Sequence, residues 1–176
     1  MSDKTTGDLE RRIRAIEDRL EIYDLIASHP MSADTAAGDY IASCWTEDGH
    51  FDRGDAGKVS GRAAIVQEVF GPNHQAALAN GIAHFASLPH VAIDGDTAVV
   101  TSYLQIIVPE TRGEPLSVSG HGASRGYHLH RVSANRWELV RGAKGWEIKQ
   151  RFARPVGSPA FRELLGRRFK DTKAAS

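Results

Sequence analysis

The sequence predicts an α+β fold, with helices at the front of the chain packed on one face of a curved antiparallel sheet built from the rest. Three observations carry this. Apolar residues recur at Leu9, Ile13, Ile16, Leu20, Tyr23 and Ala27, in the steps of four and three that mark one face of a helix. From Ile82 the period changes to two, in segments dense in Val, Ile, Thr and Tyr. Between two of those segments lies Asp94-Gly95, a strong hairpin signal. A sheet of this kind closing around the first helix makes a cone, open at one end.

Taken in order, the first helix runs from about Asp8 to Ser28 and ends at His29-Pro30, because the residue before a proline is pushed out of the α region. A shorter helix follows, from about Ala33 to Trp45, with Asp34 as its cap. Glu47-Asp48-Gly49 reads as a turn, and His50 to Arg53 as a short strand with Phe51 inward. Ser60-Gly61-Arg62 opens a third helix carrying Ile65, Val69 and Phe70, stopped by Gly71-Pro72. His74 to Asn80 is Ala-rich and helical, and Gly81 ends it. Ile82 to Ile93 is one strand, Thr97 to Val108 the next, and Pro109 to Gly126 a loop. Tyr127 to Arg141 and Trp146 to Ala153 are the last two strands, joined by a turn at Gly142 to Gly145. Pro155 to Pro159 breaks the chain before a terminal helix over 160–170.

A length of 176 residues suits one domain over 1–176, with a core over 9–153. Lys plus Arg and Asp plus Glu both number 22, which argues against a nucleic-acid or anionic-membrane partner. The late basic cluster of Arg162, Arg167, Arg168 and Lys170 reads as a solvated helix face. Cys44 is the single cysteine, so neither an internal disulfide nor a cysteine zinc site is expected. The charged first ten residues carry no apolar signal segment, and the expected location is the cytoplasm. Val100, Trp146 and Ile148 lie in strands too apolar for both faces to be buried in one small cone, which predicts a homo-oligomer joined through the sheet. The competing expectation is that Phe161, Leu164, Leu165 and Phe169 of the terminal helix fold back over that surface.

The chemistry centres on Asp24, an acid bordering the apolar stripe, which needs a partner if it is buried. His84, opening the first strand-like run, is the expected partner. An Asp–His pair at the mouth of an apolar cavity can move protons without a cofactor: imidazole titrates near neutral pH, and the carboxylate holds its tautomer. Tyr23 and Tyr40 are candidates to donate a hydrogen bond to a carbonyl or leaving group, or else pack in the core. Asn135 shares strand parity with Trp137 and Leu139, opposite to Arg136 and Glu138, so it faces inward, either toward a substrate or toward backbone. His128 and His130 alternate on one strand with His121 nearby in the loop, but beyond the same-face pair a third ligand is not specified and their parity is that of the outward Arg136 and Glu138, so no metal is expected. The loop glycines lack the strand–glycine–helix setting of a nucleotide site, and no serine-centred triad is present.

Several segments resemble the SnoaL-like branch of the nuclear transport factor two-like superfamily, which includes scytalone dehydratase and ketosteroid isomerase. They are Ile22-Tyr23-Asp24, the run Trp45 to Asp52, Gly61-Arg62-Ala63-Ala64-Ile65, His84, Ile93 to Ala98, and Asn135 to Arg141 before Gly145-Trp146. The resemblance implies a cone-shaped NTF2-like fold. It also implies that Tyr23-Asp24 matches the helix-one Tyr-Asp of the dehydratase, that His84 matches its first catalytic histidine, and that Tyr40 matches a second pocket tyrosine. Leu104 stands where the dehydratase has a second histidine, which implies a more apolar wall. The expected function is therefore a cofactor-independent lyase, dehydratase-like, acting on a small aromatic or polyketide-like substrate. In it Asp24, His84, Tyr23 and Tyr40 do the chemistry, and Phe51, Leu104, Asn135 and Trp137 form the binding walls. Isomerisation, dehydrohalogenation or retro-aldol cleavage on the same pair, or a non-catalytic binder, are the alternatives. The resemblance also favours a homotrimer over a dimer.

Overall fold

The structure, a computed structural model, describes the backbone of residues 2–171 and the side chains of 5–166. Five helices and nine strands follow one another: α1 Ser2–Asp34, α2 Gly38–Cys44, β1 Trp45–Asp52, β2 Lys58–Ser60, α3 Arg62–Phe70, α4 Pro72–Ala79, β3 Ala83–Ala86, β4 His90–Asp94, β5 Thr97–Pro109, β6 Leu116–Val118, β7 Gly122–Ser124, β8 Tyr127–Gly142, β9 Gly145–Pro155 and α5 Pro159–Asp171. The main sheet has the order β2-β1-β9-β8-β5-β3, with β4 also on β5. The α+β fold with a curved sheet is as the sequence predicts, with two corrections: β1 runs parallel to β9, so the sheet is mixed, and its order ends in β2 and β3, so it does not close. The parallel pair arises because α3 and α4 carry the chain from β2 to β3 at the far end of the strand order, and the antiparallel run β3, β5, β8, β9 then comes back beside β1 in the same direction.

The core lies between the C-terminal half of α1, α2 and α3 and the concave face of the sheet. Ile22, Ile26, Trp45, Val100, Leu139 and Ile148 are its most deeply buried large residues. Val100, Trp146 and Ile148 point into this core, so they do not form the exposed sheet face expected of an interface. Helices and one sheet face suffice to bury them because alternate residues of β5, β8 and β9 point the same way. α5 packs against β8 and β9; the side chain of Phe169, like those of Arg167, Arg168 and Lys170, lies outside the described residues.

Helix α1 departs from expectation at both ends. It continues through Pro30 to Asp34, and Pro30 is buried. Packing of Ile22, Leu25, Ile26 and Ser32 against the body outweighs the hydrogen bond the proline forgoes. The helix closes in a Schellman motif: Ala37 N–H donates to Ser32 C=O at 2.9 Å and Ala36 N–H to Ala33 C=O at 3.2 Å, with Ala36 left-handed at φ 50°. Asp34 therefore ends α1 and does not cap α2. At the other end Leu9, Ile13, Ile16 and Leu20, expected to be buried, are 45 to 60% exposed. The inward residues are Asp18, Ile22, Leu25 and Ile26. Asp18 binds Arg141 at 2.6 Å, and Glu21 accepts the Trp146 N–H at 2.6 Å, which clamps α1 to the β8–β9 turn. Gly145 is required in that turn: its φ is +123°, and a Cβ there would meet the Glu21 carboxylate at 2.1 Å.

Two further segments differ. Glu47-Asp48-Gly49 is an irregular, bulged stretch within β1, with the register against β9 shifting between Trp45 and His50. Ile82 to Ile93 divides into β3 and β4, which pair with different halves of β5. Pro89 lies in the break, and the Ser87 hydroxyl takes the Tyr103 N–H at 2.9 Å where a strand carbonyl would otherwise serve. The loop over 109–126 contains the small exposed hairpin β6–β7.

Candidate active site

A cavity of about 1070 Å³ opens between the C-terminal half of α1, helices α3 and α4, and the concave sheet face. Apolar side chains dominate its inner surface, among them Ile41, Trp45, Phe51, Ile65, Leu104 and Ile106. Onto this surface the fold brings His84 from β3, His29 from α1, His74 from α4 and Arg151 from β9. On β8 and β9 the cavity wall includes the small residues Ser133 and Ala153, beside the polar Arg151.

His84 is the best-defined group. Its Nδ1 donates to Asp34 Oδ1 at 2.5 Å, and its backbone N–H donates to Asp34 Oδ2 at 2.9 Å. Both carboxylate oxygens are thus committed to one residue, and the ring is held with Nε2 as its free nitrogen. The His84 side chain is 14% exposed and Asp34 23%, a setting in which their mutual attraction is only partly screened. His74 steadies this arrangement: its Nε2 lies 2.9 Å from the carbonyl of Ala33, the residue before Asp34.

A second polar group lies deeper. Arg151 is 4% exposed, and its Nε donates to Asn135 Oδ1 at 3.0 Å. Its Nη1 donates to His29 Nε2, which makes His29 a neutral ring protonated on Nδ1. The guanidinium lies 4.4 Å from the Phe51 ring centre and 4.3 Å from that of Trp137. Burial, and after it the positive Arg151, hold the His29 pKa well below its ordinary 6.5. Burial, and after it Arg53, lower that of Arg151 to about 9, so it stays charged at neutral pH.

The expected site residues distribute as follows. His84, Phe51 and Leu104 line the cavity. Asn135 and Trp137 are buried behind it, Asn135 on Arg151 and Trp137 edge-on to His29 with ring centres 4.9 Å apart. Asp24 is exposed and is not the partner of His84; Asp34, ten residues on, takes that place. Tyr23 packs half-buried against the core. Tyr40 is 39% exposed and its hydroxyl pairs with Ser28 Oγ at 2.5 Å. Neither tyrosine lines the cavity. His121, His128 and His130 are exposed, and His128 faces Glu110 at 3.5 Å. Sequence reasoning missed Asp34, His29, His74 and Arg151. A signal existed for two of them, His29 and Asp34: Ile22, Ile26, His29 and Ala33 repeat at helical spacing, and extending that face through Pro30 reaches Asp34. Arg151 gave none, since a charged residue in an alternating strand reads as outward.

Among the described residues no helix is long and apolar enough to cross a membrane. No curated protein matches the chain. Among solved structures, an NTF2-like protein with a cystatin-like fold from Novosphingobium aromaticivorans is 36% identical, with 94% of this chain and 98% of that one covered at a TM-score of 0.79. A candidate dehydratase of the NTF2-like family from Streptomyces avermitilis matches in fold at 17% identity, covering 81% and 98% at a TM-score of 0.59. A candidate scytalone dehydratase from Novosphingobium aromaticivorans does so at 18% identity, covering 86% and 88% at a TM-score of 0.56. The model of the SnoaL-like domain matches residues 14–152, from the middle of α1 to the last core strand. On the fold, the cavity and these matches together, the chain belongs to the SnoaL-like family.

Proposed function

We propose that the protein is a cofactor-independent lyase of the dehydratase type, with Asp34 and His84 as its proton-transfer pair. The observation that carries this reading is the 2.5 Å contact of His84 Nδ1 with Asp34 beside a large, mostly apolar cavity. His84 Nε2 removes a proton from a carbon made acidic by a neighbouring carbonyl or aromatic system. The electron pair left on that carbon forms the new double bond as an oxygen substituent departs from the adjacent carbon. The imidazolium returns its proton to the departing oxygen, which leaves as water. Asp34 stabilises the imidazolium between these two transfers. An apolar cavity suited to an aromatic or polyketide-like substrate agrees with Trp45, Phe51 and Leu104 on its walls. Return of the proton to carbon, on the same pair, gives double-bond isomerisation.

The test requires no knowledge of the natural substrate. Ring opening of 5-nitrobenzisoxazole is a carbon deprotonation that a cavity base accelerates. Wild type is expected to accelerate it over buffer, and His84→Ala to lose about 10²-fold or more. The double variant of His84→Ala with Asp34→Asn is expected to lose no more than His84→Ala, because the two groups act as a unit. His84→Ala opening the ring at the wild-type rate would exclude His84 as the base.

A further inference from the structure

Arg151 is a buried cation for which the described residues supply no carboxylate: of the other cavity arginines, Arg53 pairs with Glu68 at 2.6 Å and Arg154 with Asp52 at 3.0 Å, and Arg131 is exposed to solvent, whereas Arg151 is buried with no ion pair. Neutral acceptors and two aromatic faces hold it instead. Such contacts offset only part of the cost of burying a charge. The other unsatisfied groups on this cavity have the same polarity. The indole N–H of Trp45 and the Nε–H of Arg53 are buried without an acceptor among the described residues. The cavity thus has donors and positive charge left over, and its free acceptor at the dyad is a single imidazole nitrogen.

We infer that the substrate is an organic anion, with a carboxylate or phenolate oxygen seated on Arg151 and its carbon skeleton reaching toward His84. This rests on the cavity being the substrate pocket, as proposed above, and adds the class of molecule it takes. With Nε on Asn135 and Nη1 on His29, the guanidinium between Phe51 and Trp137 keeps Nη2 to donate to an oxyanion. The anion would complete the charge pair that the protein leaves open, so binding and neutralisation coincide.

Benzoate and benzamide, equal in shape and different in charge, serve as probes. Quenching of tryptophan fluorescence is the readout, since Trp137 touches Arg151. Wild type is expected to bind benzoate at least about tenfold more tightly than benzamide, and Arg151→Gln to lose that preference while keeping a folded circular dichroism spectrum. The wild-type comparison stands even where Arg151→Gln does not fold. Equal affinity of wild type for the two probes overturns the anion site, as does an undiminished preference in folded Arg151→Gln. Binding is read without turnover, so the two proposals fail separately. Benzoate preference with an inert His84 sinks the lyase alone; deprotonation activity without benzoate preference sinks the anion site alone.

The projecting end of α1 carries a second, independent inference. Every residue from Glu10 to Glu17 is exposed, and among the described residues the first buried one of the helix is Asp18. Along this stretch and one turn beyond it, Leu9, Ile13, Ile16 and Leu20 are 54, 45, 60 and 60% exposed and fall at the alternating d and a positions of a heptad. In that register Arg12 and Arg19 occupy g, and Glu17 and Asp24 occupy e. A parallel, in-register second copy sets Arg12 against Glu17 and Arg19 against Asp24, whereas an antiparallel copy sets like charges together. We propose that α1 pairs with α1 of a second copy of this chain as a parallel coiled coil.

Sedimentation at tens of micromolar is expected to give about twice the 19.2 kDa chain mass, and Ile13→Glu combined with Ile16→Glu to give the monomer. Ile16→Cys is expected to cross-link copies on mild oxidation, since d-position cysteines face each other only in a parallel pair. A wild-type monomer, or an oligomer that survives the double glutamate substitution, overturns the pairing. An Ile16→Cys dimer that resists cross-linking overturns its parallel sense.

Discussion

At the residue scale the decisive difference is between two aspartates ten positions apart. Asp24 faces solvent beside Tyr23, whereas Asp34 gives both oxygens to His84. Asp34→Asn keeps the size of the side chain and removes the charge that stabilises the imidazolium. Its deprotonation rate is expected to fall about 10²–10⁴-fold, with Asp24→Asn within twofold of wild type. A rate loss in Asp24→Asn matching that in Asp34→Asn would contradict this assignment. His84 was legible in the sequence as a histidine opening a strand beside the helical layer. Its partner was not, for a physical reason: the proline rule describes a local bias of about the size that a few buried side chains outweigh, so Asp34 was placed at the start of α2 rather than the end of α1.

At the element scale the same misreading has a visible origin in the helix terminus. A left-handed residue after a helix is ordinarily glycine, and the sequence offers Ala36 there, so nothing announced the stop. Ala36→Gly, which relieves the Cβ contact of the left-handed conformation, is expected to stabilise the protein by about 1 kcal/mol. Urea unfolding read by circular dichroism measures it, and destabilisation by a similar amount would mean that the terminus is not held as described. The strands were more legible than the helix ends, since alternation survives wherever one sheet face is buried: Asn135, Trp137 and Leu139 are inward and Arg136 and Glu138 half-exposed, as their parity requires. Alternation failed to place Arg151, because the register against β8 shifts between Glu138 and Leu139 and the parity of β9 changes along its length. The bulge turns a charged residue inward, and periodicity carries no sign of it.

At the scale of the whole molecule, the cone's polar interior makes stability depend on pH in two windows. His29 binds its proton far less readily in the folded protein than in the unfolded chain, whose value is near 6.5. As pH falls below that value the unfolded state takes up a proton that the folded state refuses, and stability declines. Asp52 acts at lower pH. Burial pushes its pKa up, but the Gly54 N–H, Arg154 and Lys58 outweigh this and bring it from 3.8 to about 2. Its contribution, at most about 2 kcal/mol, is intact above the unfolded value and is lost as pH falls from about 4 toward 2. The two windows separate by mutation. Urea midpoints of His29→Gln are expected to vary less than wild type between pH 7 and 5, and those of Asp52→Asn to vary less only below pH 4. A wild-type midpoint that stays level from pH 7 to 5 in parallel with His29→Gln would mean that His29 is charged in the folded protein. It could not then accept the Arg151 proton, and the wall on which the cavity's cation rests would have to be built differently.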